Sequence, residues 1–298
     1  MSTIPKRNSI PIVAPTPTPF DSNDKPDLQL LEKNVLQWLD TELSGFVVGS
    51  YGGEEFHLSQ TEKTEIIKTV SQAHGGEKFV IAGIDTLSPT VASQQADEYA
   101  KLGADMVRVR IPKIQYSPGA QSVVDFFEIV TRNSPIPVIP IHQPKLPMDL
   151  DATPEEIAEI TDLENIYAYI ISLNFRWESR LPSLINPKVQ LWTCNGSLLM
   201  PGATIGADGA CLFFANWAPG LCREVISLVK SGQFHQAQII QKSLIHADYI
   251  GMTKGVAALK AGLNLLGFKA TKPRKPTPEL SSAEVKELRE AFVEASIL

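Results

Sequence analysis

The sequence predicts an α/β fold, a (β/α)8 TIM barrel with a C-terminal helical extension. Eight short apolar runs follow one another along the chain, and amphipathic segments separate them with near-regular alternation. The chain has 298 residues, 43% of them hydrophobic and 20% charged, enough to fill one large closed core.

The runs are "IPIVAP" from Ile10, "GFVVGS" from Gly45, "FVIAGI" from Phe79 and "MVRVRI" from Met106. "PVIPIH" from Pro137, "IYAYIIS" from Ile166, "VQLWTC" from Val189 and "GACLFF" from Gly209 complete the set. Their near-continuous apolar character fits strands covered on both faces. Between them, Leu28, Leu31, Val35 and Trp38 recur at helical spacing. Ser59 with Glu62 forms a capping box ahead of Ile66, Ile67 and Val70, and Thr153-Pro154-Glu155-Glu156 opens another helix. Such alternation implies right-handed βαβ crossovers. An open doubly wound sheet is the competing architecture, but no G-x-G-x-x-G opens a helix after the first run. Past Phe214 the pattern is helical. "KPRKPTPELS" (Lys272 to Ser281) reads as an exposed, proline-rich connector. Ser281 and Glu284 then cap a last helix carrying Val285, Leu288, Phe292 and Ile297. Residues 1–225 are assigned to the barrel and 226–298 to helices packed on it, as a single structural unit.

A net charge of −6 and a pI near 5.5 argue against a nucleic-acid or anionic-membrane binder. No apolar run is long enough to span a bilayer, and "MSTIPKRNSI" lacks an apolar signal core, so a cytoplasmic protein is expected. Cys194, Cys211 and Cys222 show no metal-ligand spacing and read as reduced core thiols.

Five motifs then coincide: "PTPFD" (Pro17 to Asp21), "GSYGGEEFHLSQTEK" after the second run, "GADMVRVRIP", "IPIHQP", and "GADGACLFFANWAPGL" (Gly206 to Leu221). Together they resemble the dihydrodipicolinate synthase and N-acetylneuraminate lyase family over essentially the whole chain. The resemblance implies a homo-oligomer, tetramer or dimer, acting on 2-oxo acids such as pyruvate. It also implies a strand-six lysine that forms a Schiff base with the ketone. That position falls here on Ile170, and no lysine occurs between Lys145 and Lys188. The resemblance further implies a strand-five tyrosine-asparagine pair, a carboxylate-holding arginine soon after it, and a tyrosine pair after strand four. This sequence has Ile141 and His142, then only Lys145 in "QPKLPMDL", and Lys113 with Ile114, Tyr116 lying just beyond. The hydroxyl pair of the glycine loop becomes Ser50-Tyr51, in a loop one residue longer.

Barrel active sites lie at the C-terminal ends of the strands. Those ends carry Ser50, Tyr51, Gly53, Glu54, Glu55, His57, Asp85, Thr86, Lys113, Tyr116, His142, Gln143, Lys145, Ser172, Asn174, Cys194, Asn195 and Asn216. Lys113, His142 and Tyr116 are the catalytic candidates. Lys113 is a relocated amine or else a solvated or anion-binding loop lysine, and His142 is a general base near neutral pH or else a hydrogen-bonded structural residue. Ser50, Tyr51, Gly53, Glu54, Lys145, Ser172 and Asn195 are the substrate-binding candidates, with Glu54 mainly bracing its loop. Arg108 and Arg110 alternate in one strand and face one side, so they need acidic partners or an anionic ligand. No H-x-x-x-H or H-x-H spacing supports a metal, and no cofactor is expected. The sequence is read as a divergent lyase or hydratase for a small 2-oxo acid or aldehyde. The alternative is a catalytically inactive binding or scaffold protein.

Overall fold

The computed structural model describes residues 4–5, 9–112, 121–142, 152–172 and 175–298. Eight parallel strands close a barrel in sequence order: β1 (Ile12–Pro15), β2 (Gly45–Val48), β3 (Phe79–Ile84), β4 (Met106–Arg110), β5 (Val138–Ile141), β6 (Ala168–Ile171), β7 (Gln190–Thr193) and β8 (Gly209–Cys211). β8 returns to β1 through Ile12 opposite Ala210 and Val13 opposite Cys211. All eight predicted runs form the strands, and the (β/α)8 expectation holds.

The intervening helices are α1 (Leu28–Leu39), α2 (Gln60–Ala73), α3 (Pro89–Lys101), α4 (Gln121–Asn133), α5 (Pro154–Asp162), α6 (Phe175–Glu178), α7 (Leu199–Ile205) and α8 (Pro219–Lys230). Beyond them, α9 (Phe234–Lys254), α10 (Val256–Leu265) and α11 (Ser282–Glu294) pack against the barrel wall. The capping boxes at Ser59, Thr153 and Ser281 are all formed. Each lets a hydroxyl accept from the N3 amide while the N3 glutamate accepts from the cap amide, so orphan helix donors are satisfied. Trp217 joins extension to barrel. Its indole N–H donates to Leu259 O at 3.1 Å, and its ring meets Phe292 edge-on at 4.9 Å.

Strand alternation divides the apolar residues into two cores. The outward-facing set packs under the helices. The inward-facing set fills the barrel: Val13, Val47, Phe79, Ile81, Met106, Ile139, Ile141, Ala168, Ile170, Trp192 and Cys211. Burying such side chains, at about 25 cal/mol per Å2 of apolar surface, is the main stabilising term. Among the described residues no helix is long and apolar enough to cross a membrane.

The segment from Lys272 to Ser281 departs from the expected passive connector. Lys275, Pro276 and Glu279 are exposed, but Arg274 is mostly buried and bonds to three barrel residues, as detailed below.

Candidate active site

The loop after β2 is built by glycine geometry and by an ion pair from the extension. Ser50 O accepts from both Gly53 and Glu55 amides, which folds the loop back on itself. Gly53 is buried, and its carbonyl accepts from Thr18 Oγ1 at 3.0 Å. Glu54 adopts a left-handed backbone (φ 65°) and turns its carboxylate inward. Its Oε1 lies 2.7 Å from Lys260 Nζ on α10, and its Oε2 accepts from the Arg274 amide at 2.8 Å. Lys260 also donates to Lys272 O at 2.8 Å and sits 4.3 Å from the centre of the Phe20 ring. Burial pulls its pKa down to about 8, against the opposing pull of Glu54. Arg274 clamps Glu62 with two guanidinium nitrogens and donates to His57 O. The Glu54 carboxylate is thus tied to two residues of the C-terminal extension.

Ser50 is buried, with Oγ 3.4 Å from Val47 O. Tyr51 stacks on Phe213 at 5.6 Å and helps line a cavity of about 350 Å3 between this loop and the α9–α10 junction.

The mouth of the barrel holds a charged cluster. Arg108 and Arg110 follow Met106 on the inner face of β4. Glu55 bridges them, with Oε2 2.9 Å from Arg108 Nη2 and Oε1 hydrogen-bonded by Arg110 Nη2. Asp85 lies 3.5 Å from Arg110 Nε, and the Phe56 ring centre lies 5.3 Å from Arg110 Cζ. Gly83 makes room: a Cβ there would stand 2.8 Å from Arg108 Nη2 and 2.1 Å from Gly49 O. The charge of Arg108 is felt by the thiols of Cys194 and Cys211 across the barrel. Burial still dominates both thiols, raising Cys194 strongly and Cys211 to about 12, so neither is a thiolate nucleophile. All three cysteines are free.

The ends of β5, β6 and β7 are tied in series. Ser172 Oγ donates to His142 O, and Asn195 Nδ2 donates to Ser172 O at 2.6 Å. Ser172 N and the Tyr169 hydroxyl both donate to the buried Glu178. Asp248 of α9 accepts from the amides of Gly196 and Ser197, fixing the turn after β7. Ser172 and Asn195 therefore brace neighbouring strand ends, and His142 is buried beside them.

Sheet register aligns one layer across the mouth: Arg110 opposite Ile141, Ile141 opposite Ile170, and Ile170 opposite Trp192. Ile170 is wholly buried in the inner core. The site candidates Lys113, Tyr116 and Lys145, with Gln143 and Asn174, lie outside the described residues. Among the described residues no three His, Cys, Asp or Glu side chains converge as metal ligands.

Sequence reasoning missed Lys260, Arg274 and Asp248. Lys260 carried a readable signal, since it is the sole charge in the apolar helical run from Val256 to Leu266. A lone lysine amid apolar neighbours implies a buried anionic partner.

The fold and this loop-bearing mouth define an aldolase-like lyase barrel. The profile of the dihydrodipicolinate synthetase family matches residues 8–295, and the chain belongs to that family. It is 28% identical over 285 residues to the 4-hydroxy-tetrahydrodipicolinate synthase of Desulforudis audaxviator, covering 94% of this chain and 96% of the relative. It is 26% identical over 290 residues to a protein of Emericella nidulans named as a probable mitochondrial 4-hydroxy-2-oxoglutarate aldolase, covering 95% and 94%. The dihydrodipicolinate synthase of Cyanidioschyzon merolae, solved with lysine bound, shares the fold with a TM-score of 0.89 and 22% identity, covering 98% and 100% of the two chains.

Proposed function

We propose that this protein is a divergent lyase or hydratase acting on a small 2-oxo acid or related carbonyl compound, without the strand-six Schiff base. The supporting observation is Ile170. It lies in the inner layer of β6, in register with Ile141, where the resemblance calls for an amine and a phenol. An alkyl group forms no imine, and β6 contains no lysine. Catalysis then relies on proton transfer and on charge stabilisation by fixed groups at the mouth. His142 is the candidate proton carrier, and the Ser50–Glu54 loop is the candidate donor surface.

A second reading, a catalytically inactive binding protein, draws on the Glu55–Arg108–Arg110 cluster. A buried ion network of that kind can fill a former site as well as serve one.

The test is turnover of 2-oxo acids and aldehydes by purified protein, with borohydride added in parallel. The proposed reading expects turnover with no reduced adduct. A trapped adduct on Lys113 would replace noncovalent chemistry by a relocated amine. Absence of turnover across both substrate classes would leave the binding-protein reading.

A further inference from the structure

Arg108 and Arg110 are under-bonded for buried guanidiniums. Each offers a planar fork of N–H donors, yet each makes one hydrogen bond among the described residues, to the same glutamate. The Nε atoms of both are buried without a hydrogen-bond acceptor. Asp85 contributes only an ionic contact at 3.5 Å, outside hydrogen-bond alignment, and its side chain is 29% exposed. One buried carboxylate is thus shared by two cations. Unfilled buried donors cost free energy, so an arrangement of this kind favours a further anionic acceptor. Burial, then the like charge of Arg108, lowers the pKa of Arg110 despite Glu55 and Asp85. Asp85 balances the formal charge of the cluster but leaves the Arg110 Nε without an aligned acceptor.

We infer that Arg110, backed by Arg108, is the anion-recognition element of the barrel mouth and holds the carboxylate of a small monocarboxylic substrate. This rests on the lyase reading above and names its specificity residue. Three features support it. The Arg110 side chain is 18% exposed whereas that of Arg108 is 3% exposed, so Arg110 is the one a ligand can reach. Its guanidinium carbon lies 5.3 Å from the centre of the Phe56 ring, within cation–π range, so an aromatic face supports the cation on one side. Its register with Ile141 and Ile170 puts a carboxylate bound there in the same layer as the position where the resemblance expects chemistry. Glu55 and Asp85 already balance the two guanidiniums, so a singly charged ligand that displaces Asp85 from the Arg110 fork is accommodated better than a dianion.

The experiment is calorimetric titration of the full-length protein with pyruvate and with pyruvamide, its uncharged analogue. Pyruvate is expected to bind roughly tenfold or more tightly than pyruvamide. Arg110→Gln, which leaves the Arg108–Glu55 pair intact, is expected to weaken pyruvate by about the same factor and to leave pyruvamide unchanged. Asp85→Asn removes the exposed competitor for the fork and is expected to tighten pyruvate roughly two- to fivefold. Should Arg110→Gln fail to fold, the Asp85→Asn titration and the pyruvate-to-pyruvamide ratio decide the matter. Equal binding of the two probes, unchanged pyruvate affinity in Arg110→Gln, or no pyruvate binding at millimolar concentration overturns the inference. Turnover of a 2-oxo acid that survives Arg110→Gln defeats the inference and keeps the lyase reading. Arg110-dependent binding in a protein that turns nothing over does the reverse.

Discussion

The Lys260 ammonium on α10 lies 2.7 Å from the Glu54 carboxylate in the loop after β2, and both side chains are almost wholly buried. This pair ties the C-terminal extension to the mouth of the barrel. It explains why a non-glycine residue is held at φ 65° in that loop. The left-handed backbone at Glu54 is disfavoured by sterics, and the contacts of its carboxylate with Lys260 and with the Arg274 amide hold the loop in that turn.

The pair gives a pH dependence with a defined sign. The pKa of Lys260 is pulled down to about 8 in the folded protein, below its ordinary value of 10.5. Between those values the unfolded chain binds more protons than the folded one, so this group's contribution makes stability rise with pH across the window. The contribution is lost as pH falls through about 8. Its size is on the order of 3 kcal/mol over the full window. Chemical denaturation of the wild type and Lys260→Met from pH 7 to 10.5 should show the wild type gaining relative to the variant. Parallel curves would show that Lys260 titrates normally.

Glu55→Gln should be strongly destabilising. The substitution leaves the buried Arg108 and the partly exposed Arg110 with only Asp85 nearby. Breaking a buried ion pair from one side costs about 3–5 kcal/mol. The double variant Glu55→Gln/Arg108→Met should recover a large part of that loss, because the remaining cation is the partly exposed one. Urea denaturation of the single and double variants checks this, and a double variant no more stable than the single would contradict it.

Gly83→Ala tests the packing beneath the same cluster. A Cβ there would meet Gly49 O at 2.1 Å and Arg108 Nη2 at 2.8 Å, and the backbone oxygen has nowhere to go. The expected loss is about 3 kcal/mol or more. It should be accompanied by weaker protection of β2 and β3 amides in hydrogen exchange. A variant as stable as the wild type would mean that β2 and β3 can separate at the mouth to admit a methyl group.

The barrel was legible in the sequence because parallel strands buried on both faces leave continuous apolar runs, and helix starts carry local capping signals. Both kinds of mark are encoded within a few residues. The resemblance drew attention to Glu54, but the partner of its carboxylate was not legible. Lys260 stands 206 positions away, and nothing local to either residue names the other. Arg108 and Arg110 were recognised as needing acids because alternation puts them on one face. That Glu55 answers both follows from the fold of the longer glycine loop, which no periodicity encodes. Ser172 and Asn195 read as ligand donors by position, yet their hydrogen bonds tie neighbouring strand ends together. The "KPRKPTPELS" segment looked like an exposed connector from its prolines, while Arg274 within it is drawn inward by Glu62 and Glu54.

Ile170→Lys probes the central reading directly. The side chain at this position enters the inner layer between Ile141 and Trp192, with Arg110 one strand further on. An amine placed there is desolvated and stands near a guanidinium, and both effects disfavour its charged form. It should therefore be largely neutral near pH 7 and nucleophilic toward a ketone. Replacing a packed isoleucine by lysine should lower stability by several kcal/mol, on the order of 3. Incubation with pyruvate and borohydride should give a reduced adduct on the introduced amine, read by peptide mass mapping, where the wild type gives none on β6. Failure to trap an adduct in a variant that remains folded would mean that the inner layer at β6 is closed to substrate. The noncovalent site would then have to lie elsewhere on the mouth.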